Sequence, residues 1–449
     1  MSRRGSMSSV PEIGLVMALN SDGAGVVRDT TNSVAKTAFV AGALPGERVR
    51  FTRIRRHRRH DEGTLLEILE SSNDRVVPRC AHFGVCGGCS LQHLAPIAQL
   101  AVKHTELVET LARIGKVVPN YWLEPMQGPV WQYRRRARLG VKYVIKRKEL
   151  LVGFRERQKP YIAALDRCEV LEAPVDALIE PLKNLISALQ ARDFIAQIEV
   201  AVADNVTVLV MRNLVELSDL DRLAMANFER TQSVRIYIQP GGVDSVQPLQ
   251  GELAQLSYRL PKFHLEFKFR PNDFIQVNAS MNELLVDKAL ELLQVGLDDR
   301  VLDLFCGLGN FSLPLARRAR EVVGIEGEPS LVARAQANAQ HNEIHNVRFH
   351  VANLASPDAA LAGVIPSMAG GFSHILLDPP RTGALEILPR LAALGAQKIV
   401  YVSCHPSTLA RDLAVLVHVH GYQLQAAGVI DMFPHTNHME SIALLERRA

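Results

Sequence analysis

The stretch DRVLDLFCGLGNFSLPLARRA, residues 299–319, runs directly into EVVGIEGEPSLVARAQANAQHN, residues 321–342. Each half sets a short apolar run before a turn and then a helical stretch. VRFHVANL (347–354), HILLDPP (374–380) and KIVYVSC (398–404) supply three more apolar runs. Strands that alternate with helices of ten or more residues predict a parallel sheet with helices on both faces, because each parallel pair needs a long crossover.

Ligands of such sheets bind outside the carboxyl ends of the strands. Asp303, Gly307 and Gly309 stand at the first strand-to-helix turn, where glycine lets backbone approach a ligand closely. The next run ends in Glu326, placed to accept hydrogen bonds from both hydroxyls of a ribose. The third runs into Asn353, a neutral group suited to an adenine edge. The turn lacks a third glycine and a phosphate-binding lysine, so S-adenosylmethionine fits better than a dinucleotide. The fourth run ends in LLDPPRTG (376–383), where two prolines fix φ and hold Asp378 at the cleft. Arg381 follows where methyltransferases acting on amines usually place a stacking aromatic, which disfavours an amine acceptor.

The fifth run ends at Cys404, in YVSCHPSTLARDL (401–413). A lone cysteine is most often a small buried hydrophobe. Here it stands at the crevice mouth ahead of a helix N-terminus, a place expected to favour thiolate. A thiolate beside a methyl donor suits uracil chemistry: sulfur adds to C6, C5 becomes nucleophilic, and a base must later remove the C5 proton. DMFPHTNHMESIALL (431–445) offers His435, His438 and Glu440 as that base. Cys306 competes as nucleophile but lies inside the glycine turn, facing the cofactor.

Outward from this segment the composition changes. The 449-residue chain has a formal charge of +4, yet residues 271–449 hold 13 Lys+Arg against 18 Asp+Glu, so the excess of positive charge lies in residues 1–270. It concentrates in RFTRIRRHRRH (50–60) and in residues 131–160, interleaved with Phe51, Trp131, Tyr133, Tyr143 and Phe154. Cations with aromatics predict a nucleic-acid partner. Five short β-rich runs between residues 12 and 70 predict a small closed barrel, of the OB type or its SH3-like relative. Apolar spacing predicts an amphipathic helix over 97–114, ended by Gly115; residues 130–270 read as mixed strands and helices. No apolar run approaches the ~20 residues of a membrane span, and the frayed start MSRRGSMSSV is no secretory signal, so a cytoplasmic protein is expected. Disulfides are then not expected. Cys80, Cys86, Cys89 and the distant Cys168 offer four thiolates, for zinc or an iron-sulfur cluster; spacing alone leaves both open.

Taken together, DLFCGLGNFSL, LLDPPRTG, YVSCHPSTLARDL and PHTNHMESIALL resemble the RNA uracil-C5 methyltransferases over nearly the whole chain. The resemblance implies Cys404 as nucleophile and Glu440 as base. It also implies Gln276 (in FIQVN), Phe305, Asn310, Glu326, Asn353 and Asp378 around S-adenosylmethionine, and a [4Fe-4S] cluster on Cys80, Cys86, Cys89 and Cys168. The barrel resembles a TRAM domain. With the cysteine cluster, it narrows the match to enzymes acting on 23S ribosomal RNA; tRNA, or RNA binding without catalysis, is the alternative. A radical S-adenosylmethionine enzyme would show Cys-x3-Cys-x2-Cys, whereas the first gap here is five. The implied architecture is multidomain: a TRAM/OB-type barrel (1–75), an α+β iron-sulfur and RNA-binding domain (76–270), and a Rossmann-like α/β class I methyltransferase domain (271–449). The helix at 96–115 is free to pack with the last of these. A monomer without an obligate protein partner is expected.

Overall fold

A computed structural model describes residues 10–28, 36–356 and 371–448. All but the last residue of the segment expected to fray lies outside them. The described chain forms two compact units. The first comprises residues up to Lys103 with Arg155–Ala163 and Phe433–Asn437; the second comprises His104–Phe154, Ala164–Met432 and His438 onward.

In the first unit, β1 (Glu12–Leu19), β2 (Ala24–Arg28), β3 (Ala38–Ala41), β4 (Arg48–Arg56) and β5 (Asp61–Glu70) close a barrel in the order β1-β2-β3-β5-β4. Only the β3–β5 pair is parallel, and β1 pairs with both β2 and β4. That is the OB-type order. Alternation along the strands points Val16, Val27, Val40, Val49 and Phe51 inward, each no more than 1% exposed. Three register shifts between β4 and β5 supply the curvature that closure needs. Beyond the barrel, the loop carrying Cys80, Cys86 and Cys89 is pinned by residues 155–157. Gly87 N–H donates to Arg155 O at 2.8 Å, and Arg157 N–H donates to Val85 O at 2.8 Å.

Helix α1 (Pro96–Thr110) continues into a π-helical turn, Leu111–Gly115. The expected glycine stop is not the helix terminator: Lys116 takes the left-handed conformation, with φ 51°. Gly115 serves close approach instead, since a Cβ there would stand 2.7 Å from Ala410 O.

The second unit holds the remaining sheets. A six-stranded sheet has the order β12-β11-β10-β9-β7-β8, built from β7 (Arg136–Val144), β8 (Glu149–Gly153), β9 (Ile195–Val202), β10 (Thr207–Asn213), β11 (Arg235–Ile238) and β12 (Gln247–Pro248). Helices α2 (Ile179–Ala188) and α3 (Asp219–Gln232) belong to the same stretch of chain. A hairpin, β13 (Leu256–Leu260) with β14 (Leu265–Phe269), leads to α4 (Ala279–Leu293).

The eight-stranded sheet runs β17-β16-β15-β18-β19-β21-β20-β6. Its strands are β15 (Arg300–Leu304), β16 (Glu321–Glu326), β17 (Val347–Val351), β18 (His374–Leu377), β19 (Lys398–Ser403), β20 (Tyr422–Ile430) and β21 (Glu440–Arg447), with the short β6 (Tyr121–Trp122) beside β20. The helices between them are α5 (Ser312–Ala316), α6 (Pro329–His341), α7 (Leu388–Ala393) and α8 (Pro406–His418). The five strands from β17 to β19 are parallel, as expected. Two points differ from expectation. Helix α5 has only five residues, and β21 is antiparallel to both β19 and β20, between which it lies. A nine-residue connection from β20 leaves no room for a crossover helix, so the chain returns antiparallel.

Candidate active site

Adjacent strands of this sheet bring the predicted residues to one edge. Leu304 of β15 aligns with Ile325 of β16 and with Leu377 of β18, so Phe305, Glu326 and Asp378 stand side by side just past the aligned pairs. Asn353 follows β17 by two residues. On the other side of β18, β19 ends at Ser403, which pairs with Ser441 of β21. One step further along that antiparallel register, Cys404 and Glu440 lie side by side. Six neighbouring strands thus present Asn353, Glu326, Phe305, Asp378, Cys404 and Glu440 in a row.

One half of the row is built around the turn after β15. Phe305, Gly307 and Gly309 all have positive φ, at 62°, 54° and 95°. Gly307 has no heavy atom within 4 Å of where a Cβ would stand, so the backbone faces open space. Its N–H donates to Glu326 Oε2 at 3.1 Å, while Glu326 Oε1 accepts from the N–H groups of Gly327 (2.7 Å) and Glu328 (3.0 Å). Those bonds fix the carboxylate and leave it lone pairs for a diol. Asp303 is fully buried; one oxygen accepts from Ser312 Oγ, and the other has no protein partner. Burial, together with Asp378 and Glu326, pushes its acid up to about 8. An open glycine backbone, a prepared carboxylate and an orphaned buried oxygen fit a nucleoside with a charged tail.

Asn310 is held by Asn282 of α4 and by the hydroxyl of Tyr258, which donates to Asn310 Oδ1 at 2.9 Å. Gln276 lines a narrow polar cleft with Arg135, Asp204, Tyr258 and Asn282. Asn353 is exposed, and its Oδ1 accepts from Ala355 N–H at 3.0 Å.

In the other half, Glu440 is 3% exposed. Burial and the Asp378 carboxylate hold its acid well above the usual carboxylate range, against the opposing Arg381 guanidinium. Loss of water around the Asp378 carboxyl pushes that acid up to about 7. The expectation that the helix end makes Cys404 a thiolate is corrected. Burial first, then Glu440 and Asp378, push the half-buried thiol up to about 11, with Arg381 again opposing. The partial charge of a helix terminus does not outweigh desolvation beside two carboxyl groups.

The rival residues have surroundings of their own. Cys306 is buried against Gly324, and burial raises its thiol well above the ordinary value. His435 belongs to the first unit, where its ring Nδ1 meets Gln99 Nε2 at 3.1 Å; His438 is exposed. Cys80, Cys86 and Cys89 lie in the first unit and Cys168 in the second. Among the described residues, no three His, Cys, Asp or Glu side chains form a set able to hold a metal.

The basic stretches are partly neutralised. Arg50 pairs with Glu67 at 2.8 Å, Arg48 with Glu70 at 3.3 Å, and Arg53 with Glu12 and Asp61, each at 2.9 Å. Arg56, Arg58 and Arg59 remain exposed. Phe51 and Tyr133 are core residues, 1% and 5% exposed, so burial removes them as stacking groups. Tyr143 and Phe154 lie under Arg192 and Arg134.

Residues 97–448 match the family tRNA (Uracil-5-)-methyltransferase. The chain belongs to this uracil-5 methyltransferase family. As a member it is an S-adenosylmethionine-dependent RNA uracil-C5 methyltransferase. It is 49% identical over 415 residues, 92% of each chain, to a protein of Alkalilimnicola ehrlichii named 23S rRNA (uracil(1939)-C(5))-methyltransferase RlmD. A protein of the same name from Stenotrophomonas maltophilia is 47% identical over 96% of each chain. Among solved structures, Pyrococcus abyssi tRNA (uracil-54, C5)-methyltransferase in complex with S-adenosyl-L-homocysteine superposes with a TM-score of 0.74. That match has 25% identity and covers 96% of this chain and 99% of the other. No helix among the described residues is long and apolar enough to cross a membrane.

Within the uracil-5 methyltransferase site, sequence reasoning missed Tyr258, Asn282 and Ser312, which touch predicted residues without matching a motif. It also passed over Asp412. This residue is fully buried and accepts from Tyr401 Oη at 2.6 Å and Ala384 N–H at 2.7 Å. The signal was a carboxylate on the apolar side of the helix that follows Cys404.

Proposed function

We propose that this uracil-C5 methyltransferase modifies a uridine of 23S ribosomal RNA through a covalent bond between Cys404 and C6 of the base. The placement of Cys404 and Glu440 on adjoining strands, at the edge that also carries the glycine turn, is the observation that supports this reading. S-adenosylmethionine supplies the electrophilic methyl group; Glu326 would hold its ribose, with Gln276, Phe305, Asn310, Asn353 and Asp378 around the rest.

The protein's own steps follow from the row of side chains. Cys404 gives up its proton to solvent water as sulfur adds to C6, and the C5=C6 electron pair moves onto the C4 carbonyl as an enolate, making C5 nucleophilic. Because the resting thiol is protonated, attack is tied to the presence of the base. Arg381 offsets the negative charge that develops beside Asp378 and Glu440. Once C5 carries the methyl group, Glu440 in its carboxylate form takes the C5 proton, its raised acid making it the stronger base; the electrons of that C–H bond re-form C5=C6 and expel the Cys404 sulfur as thiolate, which regains a proton from solvent.

The relatives' printed names support the ribosomal substrate, and the OB-type barrel with exposed Arg56, Arg58 and Arg59 supports a long RNA. We read the barrel as a TRAM domain, residues 76–270 as the middle RNA-binding domain, and the protein as a cytoplasmic monomer. The sequence also supports a [4Fe-4S] cluster on Cys80, Cys86, Cys89 and Cys168, and Gly88 N–H directed at Cys86 Sγ (3.4 Å) is suited to a thiolate. Methyl transfer to C5 itself needs no redox step, so such a cluster would serve structure or RNA contact.

The test is incubation with a ribosomal-RNA fragment containing 5-fluorouridine and S-adenosylmethionine, followed by mass spectrometry. A stable RNA adduct on Cys404 is expected, because fluorine cannot leave as a proton. Methylation of ordinary RNA without any such adduct would refute the covalent route.

A further inference from the structure

The loop after Asp378 is tied to helix α8 at three successive points. Thr408 Oγ1 donates to Arg381 O at 3.2 Å, Arg411 donates to Thr382 O at 2.8 Å, and Ala384 N–H donates to Asp412 Oδ2 at 2.7 Å. Thr408, Arg411 and Asp412 occupy positions i, i+3 and i+4, one face of the helix. Asp412 is the hub. Its other oxygen accepts from Arg411 Nε at 2.8 Å, and the Tyr401 hydroxyl binds it to β19, the strand that ends at Cys404. The loop is shaped for this contact. Gly383 has φ +81°, and a Cβ there would stand 2.5 Å from both Arg411 NH2 and Asp412 Oδ2.

Cys404 immediately precedes the same helix, and the loop carries Arg381. We propose that Asp412, with Thr408 and Arg411, is a positioning device that fixes the Arg381 guanidinium relative to Cys404 and Glu440. The proposal rests on the reading of Cys404 as nucleophile. The charged groups acting on Cys404 are Asp378 and Arg381 from the loop after β18 and Glu440 from β21. Arg381 is the one that favours thiolate, so a loop that drifts from α8 weakens the group that steadies the sulfur anion. A buried carboxylate with three hydrogen-bond donors also stabilises the fold, so the two roles call for separate readouts.

The experiment measures the pH dependence of iodoacetamide alkylation of Cys404, mapped by mass spectrometry, in full-length protein without RNA. Arg381→Gln is the reference for loss of the charge. Asp412→Asn, which keeps volume but replaces an acceptor oxygen by a donor, is expected to raise the alkylation midpoint by about half a pH unit or more, the scale of displacing one nearby charge. Thr408→Val, which removes one bond at the protein surface, is expected to raise it less. Tyr401→Phe leaves the loop bonds in place and is expected to lower the melting temperature without moving the midpoint. A midpoint unchanged in Asp412→Asn, while Arg381→Gln shifts it, would overturn the proposal. If Asp412→Asn does not fold, an unchanged midpoint in Thr408→Val does the same. Alkylation does not require catalysis, so failure of the nucleophile reading would show separately, as absence of the 5-fluorouridine adduct.

Discussion

Asn310 and Asn282 exchange hydrogen bonds in both directions: Asn310 Nδ2 donates to Asn282 Oδ1 at 2.8 Å, and Asn282 Nδ2 donates to Asn310 Oδ1 at 3.0 Å. The pair joins α4 to the glycine turn and fixes the position of Asn310, which under the proposed function would lie against the cofactor. Asn282→Ala is therefore expected to weaken S-adenosylmethionine binding by about three- to tenfold, the scale of one or two lost hydrogen bonds. RNA affinity should be unaffected. Calorimetric titration with the cofactor checks this, and unchanged affinity would show that the amide pair does not prepare the site.

The two cysteines of the sheet edge should separate cleanly. Cys404→Ala is expected to abolish methyl transfer while leaving RNA binding within about twofold. Cys306→Ala should retain most activity and lose only about 1–2 kcal/mol of stability, because Cys306 is a buried side chain packed beside Gly324. Loss of methylation in Cys306→Ala at normal folding would reverse the assignment.

Glu440→Gln keeps the shape of the buried side chain but removes the base. Methyl transfer to C5 should still occur, and the methylated adduct on Cys404 should accumulate and release slowly. Gel-resolved adduct with radiolabelled methyl groups measures both stages, and normal turnover would remove Glu440 from its role.

Asp303 ties stability to pH. Its acid lies at about 8 in the folded chain, against about 3.9 when exposed. The folded state therefore holds a proton that the unfolded chain releases, and this contribution to stability is present at low pH and fades as pH rises through about 8. Asp303→Asn, which cannot ionise, should melt progressively higher relative to wild type between about pH 5 and pH 8.5. A constant difference across that range would contradict the shifted acid.

For the barrel, the pairing pattern predicts which arginines meet RNA. Replacing Arg56, Arg58 and Arg59 by alanine should flatten the salt dependence of RNA binding by about 0.7–0.9 logarithmic units of slope per lost phosphate contact. Arg48→Ala and Arg50→Ala, already paired with Glu70 and Glu67, should change it little.

The placement of much of the candidate site was legible because strand ends are local facts. An apolar run followed by Asp378 or Cys404 announces its own position, and a parallel sheet puts every such end on one edge. Glu440 was harder: it begins a strand, and a residue at a strand's beginning reaches that edge only if the strand runs backward. Sequence left His435 and His438 beside it as equals, because no local pattern separates a loop bonded to Gln99 from the strand that follows. The acidity of Cys404 was misjudged for a related reason. Its neighbour in the chain is a helix end, but its neighbours in space are carboxyl groups 26 and 36 positions away. Gly115 was likewise given a turn's role when the demand on it comes from the backbone of another helix.

The reversed strand also orders events in time. β21 emerges from the ribosome after every other strand of its sheet, yet its place is interior, between β19 and β20. A chain that has reached Cys404 but not residue 440 has one member of the proposed nucleophile and base pair without the other. Until β21 is inserted, the sheet cannot complete its ladder across that gap. Closing the sheet and bringing residue 440 beside residue 404 are therefore one structural event, because the same antiparallel ladder between β19 and β21 accomplishes both.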